Sequence, residues 1–415
     1  MTAKTIIGVV VPAFDDRGGV ATVASFVLRA IARRPEFEAR VISLAMSAQD
    51  PASLLLTKPS TWARGVTTVA RREQDLDFVH VGARFGELEF QRLAPRPKLS
   101  ELLRSCDLIQ VVAGVPAWAL PAVGLDIPVV LQTATLTTVE RRMRASLETG
   151  PIAVWRALMT RIVAKLDEEG LRKVDAVLVE NPWMKDYSRA AAEHLPTRIV
   201  YAPPGVDTKI FRPLQPDEAK ANKPFVLAVG RFSDLRKNPM LLLDAFCHLR
   251  KRRDDELELV LAGAAPPDRR FWARARELGL GDRIRLVLGP NEEELSILFR
   301  QACCLALPSD EEGFGMVVIE AMASGTPVVS TRCGGPDGII TDGVDGYLVD
   351  RGDAEAMADR LDRLVSDPAA AHAMGLRARE TVEARYSDKV AGDVYLNLYD
   401  ELLRERSPKA LATGS

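Results

Sequence analysis

Three cations follow a short apolar run in Gly230-Arg-Phe-Ser-Asp-Leu-Arg-Lys-Asn-Pro239, which sets Arg231, Arg236 and Lys237 just beyond Phe225 to Gly230. A guanidinium fork and an ammonium point charge both match phosphoryl oxygens. Together they can hold a diphosphate and stabilise charge growing on a leaving phosphate. The same residues would equally suit a solvated loop. A second group lies in Leu307-Pro-Ser-Asp-Glu-Glu-Gly-Phe-Gly-Met-Val-Val-Ile-Glu-Ala-Met-Ala-Ser-Gly-Thr-Pro-Val-Val-Ser330, where Glu312 and Glu320 bracket a glycine loop. Gly313 and Gly315 let backbone approach a ligand closely, and a helix starting near Met316 would aim free N–H groups and a positive dipole end at it. Glu312 stands before that helix and Glu320 inside it, so two carboxylates could meet one polyhydroxylated ring from different depths. Taken alone, such a pair also fits a solvated helix face.

Positioning these groups takes a particular alternation of elements. Short β-rich runs alternate with segments of helical period, which predicts an α/β chain of parallel sheets with helices on both faces. The first series is Ile6 to Val11, Ala39 to Leu44, Leu108 to Val112, Pro128 to Leu131, Ala176 to Val179 and Arg198 to Ala202. The second is Phe225 to Gly230, Leu257 to Gly263, Ile284 to Leu288, Cys304 to Pro308, Pro327 to Ser330 and Gly346 to Val349. Each makes one doubly wound sheet, and ligands of such sheets bind at the carboxyl ends of the strands. The expected organisation is a first domain over 1–204, a punctuated linker over 205–222, a second domain over 223–385 and a closing segment over 386–415. In that last segment Asp388 to Arg406 carries Val394, Leu396, Leu398, Tyr399 and Leu402 at helical spacing, followed by a loose tail.

Composition narrows the function classes. The 415 residues are 47% hydrophobic and 27% charged, enough for sizeable cores. A formal charge of −2 offers no footprint for a nucleic acid. Five cysteines without C-x-x-C spacing suit neither a zinc site nor a disulfide framework and read as reduced core residues. The apolar N-terminal run is too short to span a bilayer and lacks a signal-peptide pattern, and no run of about 18 apolar residues occurs elsewhere, which predicts a cytoplasmic protein. Peripheral membrane contact stays open. The basic cluster Arg141, Arg142 and Arg144, beside Trp155 and Arg156 in a helical stretch, suits a solvated face first, then an anionic acceptor or a membrane surface.

The stretch around Glu312 and Glu320 resembles a known family, the group 1 (family 4) retaining glycosyltransferases that include bacterial glycogen synthases, sucrose synthases and phosphatidylinositol mannosyltransferases. Its E-x7-E signature is matched by Glu312 and Glu320, and G-R-x-x-x-x-x-K-N by Gly230, Arg231, Lys237 and Asn238. Pro204-Gly-Val-Asp207, Phe211-x-Pro213, Gly334-Gly335, Asp342-Gly343 and Gly346 add to the likeness, which covers most of the chain and is densest from 204 to 350. Gly18-Gly19-Val20 looks like the family's N-terminal glycine loop, which approaches the acceptor or the donor phosphates. The resemblance implies a GT-B fold of two facing Rossmann-like domains, the last helix returning to the first. It also implies metal-independent transfer from a UDP- or GDP-linked sugar, the nucleotide sugar being co-substrate and not cofactor. Arg231 and Lys237 would neutralise the diphosphate, Glu312 would contact the sugar, amides around Phe314, Gly315, Met316 and Val317 would bind its hydroxyls or phosphate, and Glu320 would hold the ribose.

Departures from the family lie mainly in the first domain. Gln110, Gln132 and Thr133 fall where many relatives carry histidines, and none of His80, His194, His248 or His372 fits, since they are expected in a loop or in helices as surface or core residues. A thiol acceptor, which loses its proton easily, would relax the need for a base. Asp337 stands where relatives commonly have glutamate. Asp75-Leu-Asp77 resembles the metal-binding D-x-D of another transferase fold but is expected in a polar loop without that context. The expected activity is transfer of a sugar to a small molecule, with bacterial specialised metabolites and thiols among the candidates because arginine exceeds lysine as in high-GC bacteria. Loops such as Met46 to Phe90 would shape the acceptor pocket. A nucleotide-sugar epimerase of the same fold and a non-catalytic sugar-binding protein are the rival functions.

Overall fold

The computed structural model describes residues 4–14, 18–73, 76–253 and 255–406. They form two compact units, one made of the described residues up to 204 with the returning 391–406 and the other of those from 205 to 390.

In the first unit the strands are β1 (Thr5–Pro12), β2 (Phe37–Leu44), β3 (Thr68–Glu73), β4 (Leu76–Val81), β5 (Leu108–Val112), β6 (Val129–Thr133), β7 (Ala176–Val179) and β8 (Arg198–Tyr201). They form one sheet in the order β3-β4-β2-β1-β5-β6-β7-β8. All the pairings are parallel except β3 with β4. The central strands carry Val10, Ile42, Ile109, Leu131 and Val177 into one apolar layer. Continuous apolar runs such as the Ala-Val-Leu-Val of β7 are what strands covered on both faces require.

The β3–β4 hairpin corrects the expectation of loops over 46–90. Arg71, Arg72, Glu73 and Asp77 give it a polar sequence because it is the sheet's edge, where polar residues suit the exposed ladder. Asp77 therefore lies on β4 and not in a loop, while Asp75 lies outside the described residues. His80 is likewise on β4, where strand pairing overrides the weak local signal.

In the second unit the strands are β9 (Phe225–Val229), β10 (Glu258–Gly263), β11 (Ile284–Leu288), β12 (Cys304–Leu307), β13 (Val328–Thr331) and β14 (Tyr347–Val349), in the order β11-β10-β9-β12-β13-β14. Successive residues feed opposite layers, with Val226 and Leu259 in one core and Leu227 and Val260 in the other. The stretch 205–222 folds onto this unit: Val206 and Phe211 are buried in its core, and Val206 exchanges backbone hydrogen bonds with Tyr386 (2.8 Å) and Asp388 (3.0 Å).

The helix Asp388–Arg406 completes the first unit. Its Tyr395 hydroxyl donates to the Ala202 carbonyl at 2.9 Å, and its Tyr399 hydroxyl donates to Gln110 Oε1 at 2.6 Å. Tyr395 also meets Phe26 edge-on, with ring centroids 5.2 Å apart. Among the described residues no helix is long and apolar enough to cross a membrane. All five cysteines are free thiols, four of them buried.

Candidate functional site

In the second unit the strand order reverses between β9 and β12, since β10 and β11 lie to one side and β13 and β14 to the other. Loops leaving the carboxyl ends of the strands at such a point diverge and open a crevice, the usual ligand position of these sheets. Both chemical groups singled out in the sequence leave from these two strands. After β9 the chain makes one short turn, Leu235–Lys237, and Asn238 takes a left-handed conformation (φ 41°) to start the helix Pro239–Lys251. Its side chain accepts from Leu241 N at 3.1 Å, and its amide donates to Asp310 Oδ2 at 3.1 Å, tying the β9 loop to the β12 loop.

That tie sets Lys237 against Glu312, with Nζ 2.6 Å from Oε1. The Ser309 hydroxyl donates to the same oxygen at 2.7 Å. Glu312 is also fixed through its backbone: its N–H donates to the Cys333 carbonyl and its carbonyl accepts from Gly335 N, each at 2.9 Å. Burial raises the Cys333 thiol, and the Glu312 charge adds to this, so the thiol stays protonated. Gly335 is demanded here, because a Cβ would stand 2.0 Å from the Phe314 carbonyl oxygen. Gly315 (φ 102°) heads the helix Met316–Ala323, which no side chain caps and no acid enters in its first turn. Phe314 is buried against Tyr386 with ring centroids 5.9 Å apart, anchoring the loop, while Met316 and Val317 are part-buried at the helix start.

The other predicted donor-side residues divide. Arg231 is half exposed, with its guanidinium 3.8 Å from Asp234. Arg236 is held by Asp234 at 2.8 Å and lies 3.9 Å from Glu311. Burial would raise the Asp234 carboxyl, but hydrogen bonding and charge from Arg236 outweigh it and keep the carboxyl below its ordinary value. Glu320 is 6% exposed within the helix. Gly230 packs near the Lys237 stem, where a Cβ would lie 3.7 Å from Cδ. Asp337 accepts from Gly334 N at 2.7 Å and so closes the first turn of Gly335–Ile339. Ser309 and Asp310 were missed in the sequence, and Asn238 stood there only as the last residue of the G-R-x-x-x-x-x-K-N match, although an Asn-Pro pair before a helix is a legible capping signal.

The first unit has its own reversal between β1 and β5. Gly18 precedes the helix Gly19–Ala32, and Gly114, after β5, faces Val20 of that helix. Residues 15–17 of the glycine loop lie outside the described residues. Gln132 and Thr133 are fully buried and turned inward: Gln132 Nε2 donates to Glu180 Oε1 at 3.1 Å, and the Thr133 hydroxyl donates to the Gly114 carbonyl at 3.0 Å. Gln110 is taken up by the returning helix. Glu180 was missed. Burial raises its carboxyl to about 7, with the Gln132 hydrogen bond opposing. His80 sits buried between Ser43 Oγ (3.1 Å) and Asp50 Oδ2 (2.9 Å), while His194 is exposed in a turn and His248 and His372 lie on helices.

Residues 212–381 match the protein family described as Glycosyl transferases group 1. The second unit is thus similar to group 1 glycosyltransferases over the segment that carries the Lys237–Glu312 pair. Among the curated relatives are two D-inositol 3-phosphate glycosyltransferases. That of Arthrobacter sp. is 38% identical over 43% of this chain and 44% of its own, and that of Frankia alni is 36% identical over 42% and 46%. The chain spans about half the length of the curated relatives it matches. Among solved structures, sucrose-phosphate synthase from Thermosynechococcus elongatus aligns over 97% of this chain and 100% of its own, with a TM-score of 0.73 at 23% identity. HepE from Anabaena, solved with UDP and glucose, aligns over 96% and 100% with a TM-score of 0.66 at 16% identity. These likenesses show that the chain has the GT-B fold, two Rossmann-like domains.

Proposed function

We propose that this protein is a retaining glycosyltransferase that moves a sugar from a nucleotide diphosphate to a small-molecule acceptor without a metal ion. The observation that carries this reading is the Lys237–Glu312 pair, 2.6 Å apart at the reversal of the second sheet and beside an uncapped helix start. Lys237 and the half-exposed Arg231 are the cations offered to the diphosphate, and each would neutralise charge that grows as the bond to the sugar breaks. Glu312 Oε1 is saturated by Lys237 and Ser309, whereas Oε2 takes no bond from any described residue and is suited to a sugar hydroxyl. Amides of Gly315, Met316 and Val317 add donors for sugar or phosphate oxygens. Buried Glu320 is assigned to the ribose.

In a front-face reaction the bond from the anomeric carbon to the phosphate oxygen breaks while the acceptor atom attaches from the same side. The acceptor proton passes to the leaving phosphate oxygen, so no imidazole base is required and the anomeric configuration is kept. The test is incubation with UDP- and GDP-sugars and a panel of acceptors. D-inositol 3-phosphate, named for the curated relatives, is tried first, and thiols and other polyols follow. Acceptor-dependent release of nucleotide diphosphate with a retained anomer by NMR is expected. An inverted product would remove the front-face assignment, and failure of every nucleotide diphosphate to bind would remove the donor site.

A further inference from the structure

The basic helical stretch of the first unit has a shape that the transfer reaction does not use. In the helix Pro151–Arg172, Met159, Val163, Asp167, Gly170 and Leu171 are buried against the unit. On the opposite side, Val154, Leu158, Arg161 and Lys165 follow at i, i+4, i+7 and i+11, which is a single outward stripe on a helix of 3.6 residues per turn. Its first half is apolar and solvent-facing: Val154 is 72% exposed, Trp155 51% and Leu158 48%, with Ile152 at the tip 65% exposed. Its second half is cationic, and Arg161 and Lys165 are both exposed.

Charge over the part of the stripe up to Lys165 is one-sided, and the acids that follow it, Glu168 and Glu169, are paired with Arg172 and Lys173. Residues 141–165 hold six cations (Arg141, Arg142, Arg144, Arg156, Arg161 and Lys165) and one acid, Glu148, in a chain whose formal charge is −2. Arg141 is occupied by Glu89 at 3.1 Å and Arg156 by Glu148, whereas Arg142, Arg161 and Lys165 have no ion-pair partner among the described residues. Four exposed large apolar side chains within two turns form a patch of the kind that marks an interaction site. A tryptophan and branched aliphatics flanked by cations are the composition of a helix lying in the interface of an anionic bilayer. A small anionic ligand would want a concave polar pocket, and a second copy of the chain would bring like charges together.

We infer that this stripe docks the first unit onto an anionic lipid surface, with Val154, Trp155 and Leu158 entering the acyl boundary and Arg142, Arg161 and Lys165 facing lipid phosphates. The inference is independent of the proposed transfer reaction. Its test is co-sedimentation of the full chain with vesicles of phosphatidylcholine alone and of phosphatidylcholine mixed with phosphatidylglycerol. Pelleting is expected only with the mixed vesicles and should fall at high salt. Arg161→Gln/Lys165→Gln should weaken partitioning by about 25-fold, at roughly fivefold per cation, and Trp155→Ser/Leu158→Ser should abolish it. A Trp155→Phe variant read by brominated-lipid quenching gives a second measurement that does not depend on the polar substitutions folding. Quenching should be strong in the parent and should drop sharply in this variant. Unchanged pelleting of both double variants, or unchanged quenching in Trp155→Phe, would overturn the assignment. A concentration-dependent dimer lost in Trp155→Ser/Leu158→Ser would hand the face to a second copy instead.

Discussion

At the scale of single residues, the proposed donor site rests on one shared oxygen. Glu312 Oε1 accepts from Lys237 Nζ at 2.6 Å and from Ser309 Oγ at 2.7 Å, so the carboxylate holds the ammonium while its own orientation is set by the hydroxyl. A cation held before the donor arrives needs little reorganisation when charge appears on the leaving phosphate, and such preorganisation is the main source of electrostatic rate enhancement. Replacing Lys237 by Ala should therefore lower kcat/KM about 10²–10³-fold. Arg231→Ala should also lower it, since that guanidinium is 3.8 Å from Asp234 and can swing to a phosphate. Because Lys237 and Glu312 act through each other, the Lys237→Ala/Glu312→Ala double variant should cost clearly less than the sum of the single changes. A steady-state cycle with strictly additive losses would show that the two side chains serve the donor separately.

At the scale of elements, the site is a matter of two loops held in register by backbone. Gly335 lies so close to Phe314 that an added Cβ would stand 2.0 Å from its carbonyl oxygen, and its own N–H donates to the Glu312 carbonyl. Gly335→Ala must displace the loop that carries Glu312, at a cost of about 1–3 kcal/mol in stability. Donor affinity should fall with it, read by denaturant unfolding and by titration calorimetry with UDP, and normal affinity would mean that the loop adapts. Much of this layout was legible in the chain. The apolar runs of β9, β12 and β13, the glycines before Met316 and the periodicity of Asp388 to Arg406 are strong local signals of elements that bury apolar faces. What stayed hidden was non-local. The Arg71-Arg72-Glu73 run reads as a loop until β4 pairs with it, and His80 is assigned only by the pairing of β4 with β3 and β2. Nothing in Gln110 or Gln132 announces that one would receive the Tyr399 hydroxyl and the other would hold Glu180, because both partners lie far along the chain.

At the scale of the whole molecule, the first unit is discontinuous, being closed by residues from 391 onward after the chain has built the second. Under the returning helix it buries a carboxyl group: Glu180 is 5% exposed, and its charge adds to the burial that lifts the Tyr395 hydroxyl. Burial raises Glu180 from 4.5 to about 7, against the opposing hydrogen bond from Gln132. A raised carboxyl favours the folded state in its protonated form. That stabilisation is complete below pH about 4.5 and is lost as pH rises through about 7, amounting to on the order of 3 kcal/mol at full ionisation. Asp50, whose carboxyl is held below its ordinary value by His80 in spite of burial, contributes with the opposite sign and only below about pH 4, outside this window, but the pH profile of the parent sums every group that titrates and does not alone isolate Glu180. Comparison with Glu180→Gln does, because the amide keeps the shape and cannot ionise. The two proteins should unfold at similar denaturant midpoints at pH 5, and by pH 8 the variant should be the more stable. A gap that stays constant across that range would mean that Glu180 is ionised in the folded protein throughout, and the buried Gln132–Glu180 contact would then have to be a charged one.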